Sequence, residues 1–509
     1  MIRRPASWCV VPLVALLVAT VAVLAAAAAP TGPDTPGPVG PVGPSARTCE
    51  GVRVRTTDDI QQVIDAHPPG TTFCLAAGRH RVVEPVVPRR GDVIVGELGA
   101  VLSGSIELVG WRRTDAGWST GGRLPDEPSS NGECADATPL CRLAEDVFVD
   151  GRRLDRAPTQ DGVRPGTVFA DYGTGTITIG DDPTGRLVEQ AVAPSLVNAV
   201  VDDVTVENLV LEQAANEAQF GAIETRQAEP EAVGSGWTIR NNEVRSNHGV
   251  GIGFGGGSLV AANSIHDQGQ LGFGAWGDGS TVRDNDIVNN GIAGYSFEWE
   301  AGGSKSWLTR DLSIVHNRVH DNRGPGLWTD GGNLRTTYEY NVVTGNDGAG
   351  IQHEISYDAT IAHNEIAGNG RVHKGWGWEA GIQIQSSGSE CGRIDVAHNT
   401  VTGGANGIVL IESGDRAWED PAPHGPHLVR NVWVHDNTIT FAPGASSGAV
   451  EDVDDPTVFH DGGNRFEANT YRFPFPDGSR FSWDGRDLTW EEWRAAGNDS
   501  TGRLLRVGS

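Results

Sequence analysis

Two stretches, GPGLWTDGGN (residues 324–333) and GAGIQHEISYD (residues 348–358), each carry a carboxylate four places after the second glycine of a Gly-x-Gly: Asp330, then Glu354. Glu298 stands at the same offset from Gly294. Acids at equal offsets act together only if their segments stack, because stacking turns offset into contact. In contact, they could supply the acid and the nucleophile or base of glycoside hydrolysis, or jointly hold Ca²⁺ at Glu298, Asp330 and Glu354. The flanking types suit a sugar, which needs a ring face and partners for hydroxyls: Trp276, Trp328, Gln352, Gln383 and Gln385. Two insertions lie beside them, FEWEAGGSKSW (297–307) and RVHKGWGWEA (371–380), and hold the chain's two lysines, Lys305 and Lys374. The first insertion adds Trp299 and Glu300 to the candidates, and Lys305 could act as the base of a lyase or remain a solvated surface charge. His353, one residue before Glu354, points inward on a regular strand as a core histidine; a bulge there would bring it to the acids.

Whether the segments stack depends on a repeat. From Ile239 onward the pattern runs apolar, two residues, Asn, one residue, apolar, two residues, often Asn, then Gly-x-Gly-apolar. The asparagines are Asn242, Asn263, Asn285, Asn317, Asn341, Asn364, Asn399 and Asn437. An apolar residue stands three places before and two places after each one, without exception. The shortest spacings, 21 to 24 residues, fit a coil of three short strands with tight corners. Period-two alternation, β-branched residues and Gly/Asn corners read as strands and turns. Stacked coils give a parallel β-helix with a ladder of amides along its axis. Leucines are too scarce for a leucine-rich repeat, and a propeller blade would be nearly twice as long.

Aligned on Gly251, Gly272, Gly294, Gly326, Gly350, Gly381 and Gly407, the outward position four places on reads Gly255, Trp276, Glu298, Asp330, Glu354, Gln385 and Ile411. Three consecutive coils thus present carboxylates in one column, about 4.8 Å apart. Like charges so close require a cation or protons.

The rest of the chain frames this solenoid. Residues 1–29 read as a secretory leader, with an uncleaved membrane anchor as the alternative; residues 30–47 read as a Pro/Gly tether without structure of its own. An N-terminal helical cap and first coils follow (48–110), then a small inserted antiparallel β subdomain (111–195), the coils (196–473) and a C-terminal cap (474–509). Export favours disulfides, paired by proximity as Cys49 with Cys74 and Cys134 with Cys141, leaving Cys391 as a buried thiol. A net charge of -27 argues against nucleic acid and disfavours a polyanionic glycan. The chain is expected to be a monomer with no membrane contact beyond its leader.

The cap, the Asn-ladder coils and the tail resemble the secreted right-handed parallel β-helix proteins of the pectin-lyase-like superfamily, from about Thr48 onward. The resemblance implies an all-β right-handed solenoid and action on extracellular polysaccharide, as a hydrolase, lyase or epimerase, or else glycan binding without catalysis. The Asn-Thr-Asp, Gly-His-Gly and Arg-Ile-Lys motifs of polygalacturonases and the Asp-Pro-His of mannuronan epimerases are missing. The expected activity is therefore glycoside hydrolysis by the carboxylate column, ahead of a Ca²⁺-dependent lyase and of a noncatalytic glycan-binding solenoid.

Overall fold

The structure, a computed structural model, describes residues 35–227, 232–372, 375–389, 392–414, 425–473 and 478–506. The leader, Lys374 and Cys391 lie outside the described residues.

The repeat builds three long sheets along one axis. Two have 13 strands and one has 12 among the described residues. Within the coils every pairing between successive rungs is parallel, as at Ile239↔Val260↔Val282↔Ile314. These apolar positions are fully buried, so each coil stacks one β-branched or aromatic side chain on the next and the core runs the length of the solenoid.

The predicted amide ladder forms. Asn242 donates from Nδ2 to Asn263 Oδ1 at 3.1 Å, and the relay continues through Asn285, Asn317, Asn341, Asn364, Asn399 and Asn437 to Asn469. The residue before each rung is the corner and takes a left-handed backbone, as at Ala262 (φ 55), Asp284 (φ 58) and Tyr340 (φ 55). A second ladder five residues on, Asn247, Gln268, Asn290, Asn322, Asn346 and Asn369, satisfies the other corner. Buried amides are costly unless bonded, and here each serves the next rung.

A glycine column sets how closely the coils approach. A Cβ on Gly272 would lie 2.6 Å from the Gly303 carbonyl oxygen, and one on Gly350 2.6 Å from that of Gly381. No side chain fits at these positions.

At one end the helix Ile60–Asp65, capped by the Asp59 carboxylate, buries Ile60 and Ile64. At the other, Trp490–Ala495 opens on a Thr489/Glu492 capping box and lays Trp493 on Phe481, with ring centroids 5.0 Å apart. Residues between the first coils form two sheets, one antiparallel and one mixed by a parallel pairing of Asp155 and Arg156 with Thr167 and Val168, with their own core around Val147, Val168 and Ile177. Both expected disulfides form, Cys49–Cys74 and Cys134–Cys141, with Cα atoms 5.8 and 5.6 Å apart. Among the described residues, no helix is long and apolar enough to cross a membrane.

The supposed tether departs from expectation. Residues 35–47 lie along the solenoid's first corner, where Gly37 N–H donates to Tyr340 O at 2.8 Å and Gly43 N–H to Ala262 O at 2.8 Å.

Candidate active site

The third sheet carries the site, and its register corrects the sequence alignment at one rung. Phe273 pairs with Ser304 and Trp276 with Trp307, so the glycine of that coil is Gly303, not Gly294. The two glycines differ physically. A Cβ on Gly303 would collide with the Gly326 carbonyl, whereas Gly294 has open space around it and a φ of 90°: one is a stacking glycine and the other a turn glycine, and both occur as Gly-x-Gly-like text. Glu298 therefore leaves the column, which reads Trp276, Trp307, Asp330, Glu354, Gln385. Two carboxylates remain in it, not three.

The cation beside Asp330 is Lys305. In place of a solvated surface charge, it sits in the strand Gly302–Arg310, two residues past the stacking glycine, with its side chain only 14% exposed. Its Nζ lies 2.7 Å from Asp330 Oδ2 and 2.9 Å from Glu300 Oε1, and 4.4 Å above the Trp328 ring. Burial alone would pull the ammonium down, but Asp330 and Glu300 outweigh it and hold Lys305 above the usual lysine value. A lysine so held is a poor base, against the lyase role expected of it.

Glu354 is fully buried, and its Oε2 accepts from Trp328 Nε1 at 3.0 Å and Gln352 Nε2 at 2.7 Å. It orients the two residues of the sugar-suited column instead of meeting solvent. Gln383 Nε2 donates to Gln385 Oε1 at 3.1 Å, and Gln385 Nε2, though buried, has no hydrogen-bond partner among the described residues. Asp330 Oδ1 is likewise buried without a hydrogen-bond partner. Polar atoms left so are expensive, and Gln385 lines a cleft.

That cleft, of about 260 Å³, is lined by Trp328, Gln352, Gln383 and Gln385 on the sheet, and by Phe297, Glu298, Trp378 and Glu379 from the insertions. Glu298, displaced from the column, still reaches the site from its loop. Glu379 was missed by the sequence reading. It lies in the flagged insertion two residues before Gly381, with the same outward parity as the column, and that parity was the available signal.

Three expected residues do not join the site. His353 faces the core: Nδ1 pairs with Thr329 Oγ1 at 2.8 Å, Nε2 with Tyr357 O at 2.8 Å, and burial pushes the imidazole down to about 4. The strand does not bulge there, so His353 stays neutral and structural. Trp276 is overlaid by the Arg226 guanidinium, 4.3 Å from its ring, and lines a separate cleft with Asp278 and Arg90. The Trp299 ring packs on Tyr295, with ring centroids 6.1 Å apart, and does not line the cleft. The calcium cradle also dissolves, since Glu298 is off the column and Lys305 already neutralises Asp330; no three His, Cys, Asp or Glu side chains converge as a metal site among the described residues.

The inserted subdomain braces the loop that carries Glu298 and Glu300. Ser296 N–H donates to Glu133 O at 2.8 Å and Ala135 N–H to Gly294 O at 2.9 Å, beside the Cys134–Cys141 bridge. Beneath this contact His248, buried in a coil corner, pairs with Asp146 of the insert at 3.0 Å. Burial of Asp146 would raise its carboxyl, but Arg153, His248 and Arg156 hold it well below the usual carboxylate range.

Comparison with known proteins agrees with the architecture. The family described as right handed beta helix region matches residues 231–439. No curated protein matches the chain in sequence. The solved complex of XylC with xylose overlays with a TM-score of 0.57 at 16% identity, over 83% of this chain and 83% of that one. The catalytic domain of Agl-KA (TM-score 0.46, 9% identity, 92% and 70% coverage) and the A-module of the Azotobacter vinelandii mannuronan C-5 epimerase AlgE6 (0.41, 13%, 88% and 94%) overlay less closely. The family match over the coils, the fold likeness and the stacked register identify the chain as a right-handed parallel β-helix protein.

Proposed function

We propose that the protein is a secreted glycoside hydrolase acting on extracellular polysaccharide with retention, and that Asp330 and Glu300 are its working pair. The observation that carries this reading is the shared ammonium. Asp330 Oδ2 and Glu300 Oε1 both contact Lys305 Nζ, at 2.7 and 2.9 Å, so the two oxygens can be no further apart than those contacts laid end to end. Retaining enzymes place their carboxyls about 5 to 5.5 Å apart, inverting ones about 6.5 to 9.5 Å. One carboxylate attacks the anomeric carbon while the other group, as its carboxylic acid, gives its proton to the leaving oxygen; as a carboxylate it then takes a proton from the water that displaces the first from the sugar. The orphaned Asp330 Oδ1 and Gln385 Nε2 await partners that a sugar hydroxyl can supply, and Trp328 and Trp378 offer ring faces in the same cleft.

The test is turnover of a panel of neutral and uronate glycans, with and without Ca²⁺, following reducing ends and unsaturated products together. Retained product from a neutral glycan is expected. In Asp330→Ala and Glu300→Ala, azide should rescue turnover, and the anomeric configuration of the glycosyl azide assigns nucleophile and acid. Unsaturated product, or activity untouched by both changes, overturns the reading.

A noncatalytic glycan-binding role is the second reading. It is favoured by the cleft wall, which is made of amides, rings, Glu298 and Glu379 but does not include Asp330. Binding without turnover would decide for it.

A further inference from the structure

The first corner of the solenoid presents a row of left-handed residues, Asn208, Asn241, Ala262, Asp284, His316 and Tyr340, one per coil. Their N–H groups are taken by the next coil, as in Ala262 N–H to Arg283 O and Tyr340 N–H to Ala362 O. The carbonyls of Ala262 and Tyr340 and the side-chain oxygens of Asn208 and Asp284 accept from outside the coils. Residues 35–47 (TPGPVGPVGPSAR) use this row. Gly37 N–H donates to Tyr340 O, Val39 N–H to Asp284 Oδ1 at 3.0 Å, Gly43 N–H to Ala262 O and Ser45 N–H to Asn208 Oδ1 at 2.7 Å. Arg47 closes the strip on Glu207 at 2.8 Å.

Composition and length both fit this role. Pro38, Pro41 and Pro44 have no N–H to leave unsatisfied and stiffen the strip. Gly37 and Gly43, the two residues buried in the row, have φ of 98° and 81°, which L side chains rarely adopt. From Tyr340 to Asn208 is five coil steps, roughly 24 Å at 4.8 Å each. The eight residues from Gly37 to Ser45 reach at most about 26 to 29 Å when fully extended. The strip is thus long enough to reach from one end of the row to the other.

We propose that this corner row is a peptide-binding face whose ligand class is a Gly/Pro segment with left-handed glycines and N–H groups that reach acceptors on four of its six coils. Residues 35–47 are its resident ligand, a splint that ties six coils together from outside. This is independent of the glycan reading.

The test removes residues 35–45 from the full chain and follows thermal unfolding with and without a synthetic peptide of residues 35–47. The melting temperature should fall, and the peptide should restore it saturably, as expected for a ligand of the native state alone. A peptide with D-Ala at positions 37 and 43, which takes positive φ, should also restore it, and one with L-Ala should not. An unchanged melting temperature, no response to peptide, or equal rescue by the L-Ala peptide overturns the proposal. Should the deleted chain fail to fold, full-length Gly37→Ala/Gly43→Ala decides by limited proteolysis: faster cleavage within residues 38–42 supports the splint, and an unchanged rate refutes it.

Discussion

On the same coils, the amide-ladder corner and the outward face of the third sheet follow opposite rules. At the corner the residue type repeats, so Asn285, Asn317 and Asn341 each donate to the next and accept from the last. On the sheet face no type repeats along the whole row: Gly274 pairs with Lys305, Trp328 with Gln352, and Glu354 with Gln385. Repetition lets identical groups satisfy each other along an axis. Variation leaves groups that must find unlike partners, and two of them, Asp330 Oδ1 and Gln385 Nε2, find none among the described residues. The stability of the array and its proposed chemistry thus lie on different faces of one rung, and mutation should separate them.

The largest effect is expected on the sheet face. Asp330→Asn or Glu300→Gln should lower turnover by roughly 100- to 10,000-fold, the scale of a lost acid or base, measured on whichever glycan is cleaved. Because Asp330 also neutralises buried Lys305, Asp330→Asn should cost about 1–3 kcal/mol of stability as well, read by denaturant unfolding. Unchanged turnover in both variants would remove the chemistry from this face.

Lys305→Met should be the most damaging to folding. It leaves Asp330 and Glu300 facing each other without their cation, and breaking such a buried cluster costs about 3–5 kcal/mol. A fully stable, fully active Lys305→Met would show that the shared ammonium matters to neither property.

At the corner the two readouts should part. Asn317 accepts from the backbone N–H and Nδ2 of Asn285 and donates to Val282 O and Asn341 Oδ1. Asn317→Ala strands several of these buried groups, at about 3 kcal/mol, while specific activity of the folded fraction stays at the wild-type level. A selective loss of activity would contradict the division of labour between faces.

The smallest effect is a pH dependence on the outer surface of the second sheet. Burial of His266 would lower its imidazole, but Asp267 and Glu243 outweigh it and raise it to about 9. A raised imidazole favours the folded state while protonated, fully so below its unfolded value near 6.5 and no longer once pH passes about 9. Wild type should therefore lose stability relative to His266→Gln between those limits, as followed by thermal unfolding against pH. No change in the difference across that window would show that the pair contributes nothing.

The corner was legible in the sequence because its signal is periodic: eight asparagines with apolar flanks define the coil, its core and its ladder without knowledge of any contact. The sheet face was legible only where it kept that period. Asp330 and Glu354 were placed in one column correctly, as were Trp328, Gln352, Gln383 and Gln385. The coil between Asn285 and Asn317 was misregistered, because an insertion there offers two glycine-centred candidates and only steric crowding at Gly303 separates them. That single shift hid the main feature of the site. It moved Glu298 into the column and left Lys305 in a loop, so repulsion was expected where an ion pair exists. The strip of residues 35–47 was unreadable for a related reason. Its composition matches a disordered linker, and its order comes from carbonyls and side chains on coils far along the chain.

The bracing of the Glu298/Glu300 loop by Glu133 and Ala135 also imposes an order of assembly. Synthesis delivers the brace well before the loop, and the coils between must stack before the two can meet. The loop that carries the proposed pair is consequently fixed only after the coils between residues 135 and 294 have stacked.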